Sequence, residues 1–182
     1  MRYIALLRGI NISGKNKIAM SELKKLFEDN NYHNVKTYLN SGNVIFESDN
    51  LDEDNIRENA FEMIKNKFNL FIPVFIMNEK LLENVLDNSP SWWGNEDKKI
   101  YDNLIFIIPP FKYEDVFNAL GSPSDGIERI EEYQNIIFWS YELKNYRKSS
   151  WWVKTASSDI RENITIRTAN TMKKVLDICK GS

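Results

Sequence analysis

The sequence predicts an α+β fold of two ferredoxin-like (βαββαβ) units with mixed or antiparallel sheets, each followed by an extra helix. Three observations favour this fold. The chain has 182 residues, enough for two small units. Short apolar runs alternate with segments of helical spacing. The order strand, helix, strand, strand, helix, strand, helix occurs twice, without a close repeat of residues. We therefore expect a first unit at 1–88, a connector at 89–102 and a second unit at 103–182.

The first unit is predicted to begin with a buried strand, because Tyr3–Leu7 is a short apolar run. A helix with apolar residues from Met20 to Phe27 follows and ends near Asn30-Asn31. Alternating residues then indicate a hairpin whose turn contains Gly and Asn, which accept positive φ. The remaining elements are a helix at about 56–68 with an acidic start, a strand at 72–77, and a helix at about 79–86 that Asn78 can cap.

The second unit repeats this order after a polar connector. A strand at 103–108 ends at Pro109-Pro110, and a short helix with Val116 and Leu120 stops at Gly121. A hairpin across 133–135 follows. We predict a further helix at about 144–157, a strand at 164–166 and a final helix. Cys179 lies on the apolar stripe of that helix, which indicates a core position. The pairs Trp92-Trp93 and Trp151-Trp152 are interpreted as inter-lobe packing or as stacking platforms for bases or partners.

The net charge of −2 conceals a segregation of charge along the chain. Residues 1–36 carry a net charge of +4, residues 37–143 carry −12, and residues 144–182 carry +6. In one interpretation the basic ends pack against the acidic middle and most of the charges are solvated. In the other, the cationic residues form a basic face that contacts an anion or a nucleic-acid backbone.

The composition is that of a soluble globular protein, and we expect a cytoplasmic one. There is no apolar run long enough for a membrane span, and we expect no signal peptide. Cys179 is the only cysteine and His33 the only histidine, so an intramolecular disulfide is impossible and a His/Cys zinc site or a nucleophile–histidine triad is not expected. The acidic run at 49–54 is interpreted as a helix start. We predict no metal and no cofactor.

The first candidate site is the polar loop between the first strand and the first helix. Glycines let backbone N–H groups approach an anion, and lysines can neutralise a phosphate or carboxylate. The loop is not a P-loop, because Asn16 stands where a magnesium-binding Ser or Thr would follow Lys15. The alternative is a purely structural loop. The candidate ligand-binding residues are Arg8, Gly9, Asn11, Gly14, Lys15 and Lys17.

The second candidate is the hairpin turn, where Asn40, Ser41 and Asn43 supply two amides and a hydroxyl. These groups could position a polar ligand, or they could serve the turn itself.

The third candidate precedes the final helix. Arg167 is predicted at a strand end, Thr168 can cap the helix, and Asn170 and Thr171 would complete an anion site. The alternative is a satisfied cap with Arg167 in an ion pair.

These motifs carry a resemblance to a known family. Residues 6–46 closely resemble the start of the DUF1697 family of uncharacterised bacterial proteins, through Leu-Leu-Arg-Gly-Ile-Asn, Gly-Lys-Asn and Ser-Gly-Asn-Val. The family typically ends in Thr-x-Arg-Asn-Trp-Asn-Thr. Here residues 165–171 match except that Thr168 and Ala169 replace Asn and Trp, so the aromatic side chain is missing. The resemblance implies paired ferredoxin-like α+β units and supplies no catalytic residue.

The function predicted from these patterns is non-catalytic binding of a small anionic ligand or a nucleic-acid backbone. The alternatives are an enzyme acting on a phosphorylated or carboxylated small molecule, in which a carboxylate or lysine transfers the proton, and a homodimeric interaction module. The pI near 5.6 argues against a general nucleic-acid coat.

Overall fold

The structure is a computed structural model that describes residues 1–95 and 97–181. Glu96 and Ser182, which belong to the predicted connector and second unit, lie outside the described residues. Contacts divide the chain into two units. Met1–Glu83 groups with the chain from Val175 onward, and Asn84–Lys174 forms the other group. The division falls within two helices, Glu79–Asp87 and Ala169–Lys180.

The first unit contains one antiparallel sheet and the helices that follow its strands. The strands pair in the order β2-β3-β1-β4, so the first strand is central. In chain order the elements are β1 (Arg2–Leu7), α1 (Met20–Asp29), β2 (His33–Tyr38), β3 (Asn43–Glu47), α2 (Glu53–Phe68), β4 (Val74–Asn78) and α3 (Glu79–Asp87).

The predicted helix starts of this unit are confirmed. Asp52 caps α2, since its carboxylate accepts hydrogen bonds from the N–H groups of Asp54 and Asn55. The side chain of Asn78 accepts from Leu81 N–H at the start of α3. His33, the single histidine of the sequence, is exposed at the start of β2.

One hydrophobic cluster of the first unit packs on the sheet face that carries Tyr3, Ala5 and Leu7. Phe27 of α1 and Phe46 of β3 place their ring centroids 5.2 Å apart, and Tyr32 meets Phe46 edge-on at 4.8 Å. Such tilted and edge-to-face pairs add to the burial of apolar area. They hold α1 against the sheet, which fixes both ends of the loop between β1 and α1.

The second unit has the same strand arrangement. Its antiparallel sheet has the order β6-β7-β5-β8. The elements are β5 (Ile100–Ile107), α4 (Tyr113–Leu120), β6 (Glu128–Tyr133), β7 (Ile136–Glu142), α5 (Ser150–Ser157), β8 (Ile164–Thr168) and α6 (Ala169–Lys180).

Two predictions about the second unit need correction, and one element was missed. The strand predicted from residue 103 begins at Ile100, because its first residues pair with β7. The single helix predicted at 144–157 is divided at Ser149 into a 3₁₀ helix, Leu143–Lys148, and α5. A second 3₁₀ helix, Asp159–Asn163, was not predicted.

The tryptophan pairs have their described contacts within the second unit. Trp93 is buried and donates its indole N–H to the Asn103 carbonyl at 2.8 Å. Trp151 is buried and donates to the Gly121 carbonyl at 2.8 Å, and its ring packs near Trp139. Trp152 is 41% exposed. Trp93 and Trp151 therefore pack within this unit, and the packing between lobes stays a prediction.

Candidate functional site

The loop between β1 and α1 folds back on itself. Asn11 N–H donates to the Asn16 carbonyl at 3.1 Å, and Lys15 N–H donates to the Ile12 carbonyl at 2.9 Å. The Asn16 side chain donates to the Gly9 carbonyl at 3.0 Å. These bonds close a tight loop, defined here as the 8–17 loop. Its backbone takes positive φ at five residues, two of which are glycines: Gly9, Asn11, Ser13, Gly14 and Asn16.

Asn11 connects the 8–17 loop to its surroundings. Its side-chain oxygen accepts from Ile18 N–H at 2.9 Å, and its amide donates to the Ile18 carbonyl at 2.9 Å. The same amide donates to the Asn40 carbonyl at 2.9 Å. One side chain therefore joins both ends of the loop to the hairpin turn between β2 and β3.

The tip of the 8–17 loop is open to solvent. Lys15 and Lys17 are both exposed, and neither ammonium group has a hydrogen bond or ion pair within residues 1–95 and 97–181. In the same described part of the chain, the backbone N–H groups of Ser13 and Gly14 donate to no protein acceptor. The tip combines two cationic groups with free backbone donors, which is the chemistry of an anion-binding loop.

The hairpin turn lies against the 8–17 loop. Gly42 is buried with a φ of +79°, and a Cβ there would lie 2.8 Å from Ile10 Cδ1. Asn40 is exposed. Asn43 is fully buried in β3, where its amide donates to the Tyr38 carbonyl at 2.8 Å and to the Ser41 hydroxyl at 3.1 Å. The first two sequence-predicted constellations are therefore adjacent, with Asn40 on the surface and Asn43 holding the turn from inside.

Arg8 stands where β1 meets the loop. Its side chain is half-buried, and its backbone N–H donates to the Pro73 carbonyl at 2.9 Å next to β4. The start of the loop is thereby fixed to the edge strand of the sheet.

The third constellation belongs to the second unit. Arg167 is buried in β8 and donates to the Thr165 hydroxyl at 2.8 Å and to the Ile166 carbonyl at 2.9 Å. Burial lowers the pKa of its guanidinium to about 10, which leaves it charged at neutral pH. Asn170 is exposed. Thr171 N–H donates to the Thr168 hydroxyl at 3.3 Å, so the predicted cap on α6 is confirmed.

Glu128, a buried carboxylate of the second unit, was not predicted from the sequence. It accepts from Ser124 N–H at 2.7 Å, from Ser150 N–H at 2.9 Å and from the Trp139 indole at 3.0 Å, and the Ser149 hydroxyl also donates to it. Burial alone would raise its pKa, but these hydrogen bonds hold the pKa below the usual glutamate value. The alternation of side chains along β6 could have indicated that Glu128 is buried, because it places Glu128 on the same sheet face as the apolar Ile130. The hydrogen bonds of the Glu128 carboxylate therefore connect β6, β7 and the start of α5.

The chain's single thiol, Cys179, lies in the core. Burial raises the pKa of the Cys179 thiol to about 11, so the thiol stays protonated, as expected of a core cysteine. Across residues 1–95 and 97–181, no group of three or more His, Cys, Asp or Glu side chains could hold a metal ion. No helix in these ranges is both long and apolar enough to cross a membrane.

Comparisons with known proteins agree with the residue motifs. Residues 1–138 match the family described as a protein of unknown function, DUF1697. Over 97% of each chain, the fold is similar to the structure of the conserved bacterial protein SP0830 from Streptococcus pneumoniae, with a TM-score of 0.83 and 26% sequence identity. No protein with a curated description matches the chain. The family match ends before residues 165–171, so the resemblance of that motif stays a prediction. The match over 1–138, three quarters of the sequence, shows that the chain belongs to the DUF1697 family.

Proposed function

We propose that this protein is a non-catalytic binding protein for a small anionic ligand, and that the exposed tip of the 8–17 loop makes the principal contact. The observation that carries the proposal is the pair of unpaired ammonium groups, Lys15 and Lys17, on a loop whose geometry is fixed from within. A cation that has no partner in the protein gains interaction energy when an anion arrives, and a fixed loop loses little conformational entropy on binding.

The other residues of the proposed site divide into contacts and supports. Lys15, Lys17 and the backbone at Gly14 would contact the anion, and Asn40 would add an amide from the adjacent turn. Gly9, Asn11 and Asn43 would hold the loop and turn in place, because their described hydrogen bonds are internal. Arg8 and Ser41 are proposed to act at the base of the same surface.

A second set of proposed anion contacts belongs to the second unit. Arg167 would supply positive charge from beneath the surface, with Asn170 and Thr171 at the start of α6. The cap between Thr168 and Thr171 supports a defined helix start there.

A small ligand is preferred to a nucleic-acid backbone as the target of the 8–17 loop. Two lysines on a short loop can neutralise one phosphate or carboxylate group. Tight binding to a nucleic-acid backbone needs many such contacts along the strand.

We also infer that each unit is a ferredoxin-like split βαβ unit. The element order βαββαβ within each unit and the strand orders β2-β3-β1-β4 and β6-β7-β5-β8 support this inference. In this arrangement one sheet face packs on helices, which leaves loops at the strand ends for recognition.

The test is a thermal-shift screen with inorganic phosphate, pyrophosphate, citrate, nucleotides and sugar phosphates. A ligand present at a hundred times its Kd stabilises the protein by about 2.7 kcal/mol. At about 2–4 °C per kcal/mol for a chain of this size, the melting temperature should rise by roughly 5–11 °C. Lys15→Ala combined with Lys17→Ala should remove the rise.

The matched control is Lys24→Ala combined with Lys25→Ala. It removes the same charge from the same unit, at two α1 lysines that pair with Glu28 and Asp29. The control should keep the thermal shift. The proposal is wrong if no anion shifts the melting temperature, or if the two double variants lose the shift equally.

A further inference from the structure

The second unit carries a cluster of aromatic rings that is partly exposed on its surface. Tyr141 is buried and contacts Tyr101 at 5.6 Å and Trp152 at 5.6 Å between ring centroids. Tyr146 meets Trp152 edge-on at 5.6 Å. We call these four residues the aromatic cluster. Tyr101 is 37% exposed and Trp152 is 41% exposed, so the buried ring of Tyr141 supports two rings that reach solvent.

Exposed apolar side chains extend the aromatic cluster. Leu143 is 44% exposed and Val153 is 52% exposed, and each lies within two residues of a cluster member in the chain. Exposed aromatic and aliphatic groups gathered in this way on a folded surface indicate a binding site more often than isolated ones do.

The segment 143–158, which contains Tyr146 and Trp152 of the aromatic cluster, is basic. Residues 143–158 contain four cationic side chains, Lys144, Arg147, Lys148 and Lys154, and no Asp or Glu. The Arg147 guanidinium lies over the Tyr146 ring at 5.5 Å and donates to the Tyr146 hydroxyl at 2.8 Å. Lys148 has no ion pair within the described ranges, and Lys144 has an exposed one with Glu142 at 3.3 Å. An exposed pair of this kind contributes little and is readily exchanged for another anion.

A cavity adjoins the aromatic cluster through Tyr101 and Leu143. It has a volume of about 580 Å³, within the range of ligand pockets, and Lys98 and Asn170 also line it. The carboxylate of Asp102, another lining residue, already accepts hydrogen bonds from Ser140 and from Gly94 N–H. The carboxylate of Asp97 also lines the cavity and accepts from Lys99 N–H, so the cavity offers amides and groups of both charges beside an exposed ring.

We propose that this surface binds single-stranded nucleic acid, with bases stacking on Trp152 and Tyr101 and phosphates contacting Lys144 and Lys148. Base faces are free to stack on aromatic side chains only in a single strand, because a duplex covers them. The charge of the segment complements a polyanion, although the protein as a whole is acidic. This surface shares no residue with the 8–17 loop, so either proposal can fail alone.

The test measures binding of labelled oligo(dT) and oligo(U) of about a dozen nucleotides, a length within the usual range of single-strand sites, by fluorescence anisotropy at low and moderate salt. Trp152→Ala should weaken binding by roughly five- to a hundredfold, the loss expected for one stacked base. Trp152→Tyr should retain most of the affinity. Lys144→Ala combined with Lys148→Ala should flatten the salt dependence of binding, by about 0.7 in the logarithmic slope per lost phosphate contact.

The matched control is Phe71→Ala, which removes a ring that is 70% exposed in the first unit and lies near Lys65. It should leave binding unchanged. Melting curves will test whether Trp152→Ala is folded. If that variant is unfolded, the affinity of Trp152→Tyr tests the stacking contact instead. The proposal is overturned if neither oligonucleotide binds, if duplex DNA of the same length binds equally well, if Trp152→Ala behaves like Phe71→Ala, or if vesicles containing phosphatidylserine bind at this surface and the oligonucleotides do not.

Discussion

Gly42 tests whether the hairpin turn packs against the 8–17 loop as closely as the structure indicates. A Cβ added there would lie 2.7 Å from Leu7 Cβ and 2.8 Å from Ile10 Cδ1. Carbon atoms prefer separations of about 3.5–4.0 Å, so the neighbours must move. Leu7 belongs to the central strand β1 and Ile10 is buried, which leaves little room for that movement.

The expected cost of Gly42→Ala has two parts. The φ of +79° costs an L-residue roughly 1–2 kcal/mol. Inserting a methyl group into a filled core costs about 1–3 kcal/mol more. The free energy of unfolding should therefore fall by about 2–5 kcal/mol, as measured by urea unfolding followed by circular dichroism.

Gly126→Ala separates the two parts. Gly126 has a similar φ of +68°, but nothing lies within 4 Å of an added Cβ. This variant should lose only the backbone part, roughly 1–2 kcal/mol. Equal losses for the two variants, or a loss below about 1 kcal/mol for Gly42→Ala, would show that the turn and loop are not packed as described.

Two further predictions concern buried titratable groups of the two units. Because the folded-state pKa of Glu128 is lowered, its stabilisation is fully present above the unfolded glutamate pKa of about 4.3 and is lost as the pH falls through the folded value. Glu128→Gln should therefore lower the free energy of unfolding at neutral pH by about 1.5–3 kcal/mol. It should also make that free energy depend less on pH in the acid range, whereas Glu131→Gln, at an exposed position of the same strand, should have neither effect. Parallel plots of the free energy of unfolding against acid pH for wild type and Glu128→Gln would contradict the assignment. Cys179 is fully buried with a raised pKa of about 11, so a thiol reagent at mildly alkaline pH should label it only after urea unfolding. Rapid labelling of the native protein would show that the C-terminal part of α6 opens.

Local chemistry accounts for the parts of the fold that the sequence predicted well. The apolar run of β1, the acidic start of α2 and the glycine that ends α4 are each contained in a few consecutive residues. Patterns of this kind are visible in a single sequence. The turn at 40–43 was likewise predicted from its Asn and Gly residues.

Partners distant in the sequence explain the features that were missed. The helix predicted at 144–157 is divided at Ser149, whose hydroxyl donates to Glu128 twenty-one residues earlier. Ser149 also caps α5 by accepting from Trp152 N–H at 3.0 Å. Periodicity contains no information about such a partner, so the division could not be predicted.

The candidate site was predicted only in outline, for a similar reason. Glycine, asparagine and lysine in a loop indicate polar recognition, but they do not distinguish exposed contacts from internal supports. Asn40 and Asn43 are equivalent in the turn motif, yet the first is exposed and the second has no exposed surface. Arg167 is buried although arginine is usually exposed. Burial depends on packing partners that the motif does not contain.

The most direct test of the central claim is an NMR titration of the isotope-labelled protein with inorganic pyrophosphate. The amide signals of Ser13, Gly14 and Lys15 should shift in a saturable way, and these shifts should vanish in the Lys15→Ala, Lys17→Ala double variant but persist in the Lys24→Ala, Lys25→Ala control. Saturable shifts confined to other parts of the chain, or none at all, would contradict the assignment of an anion site to the 8–17 loop.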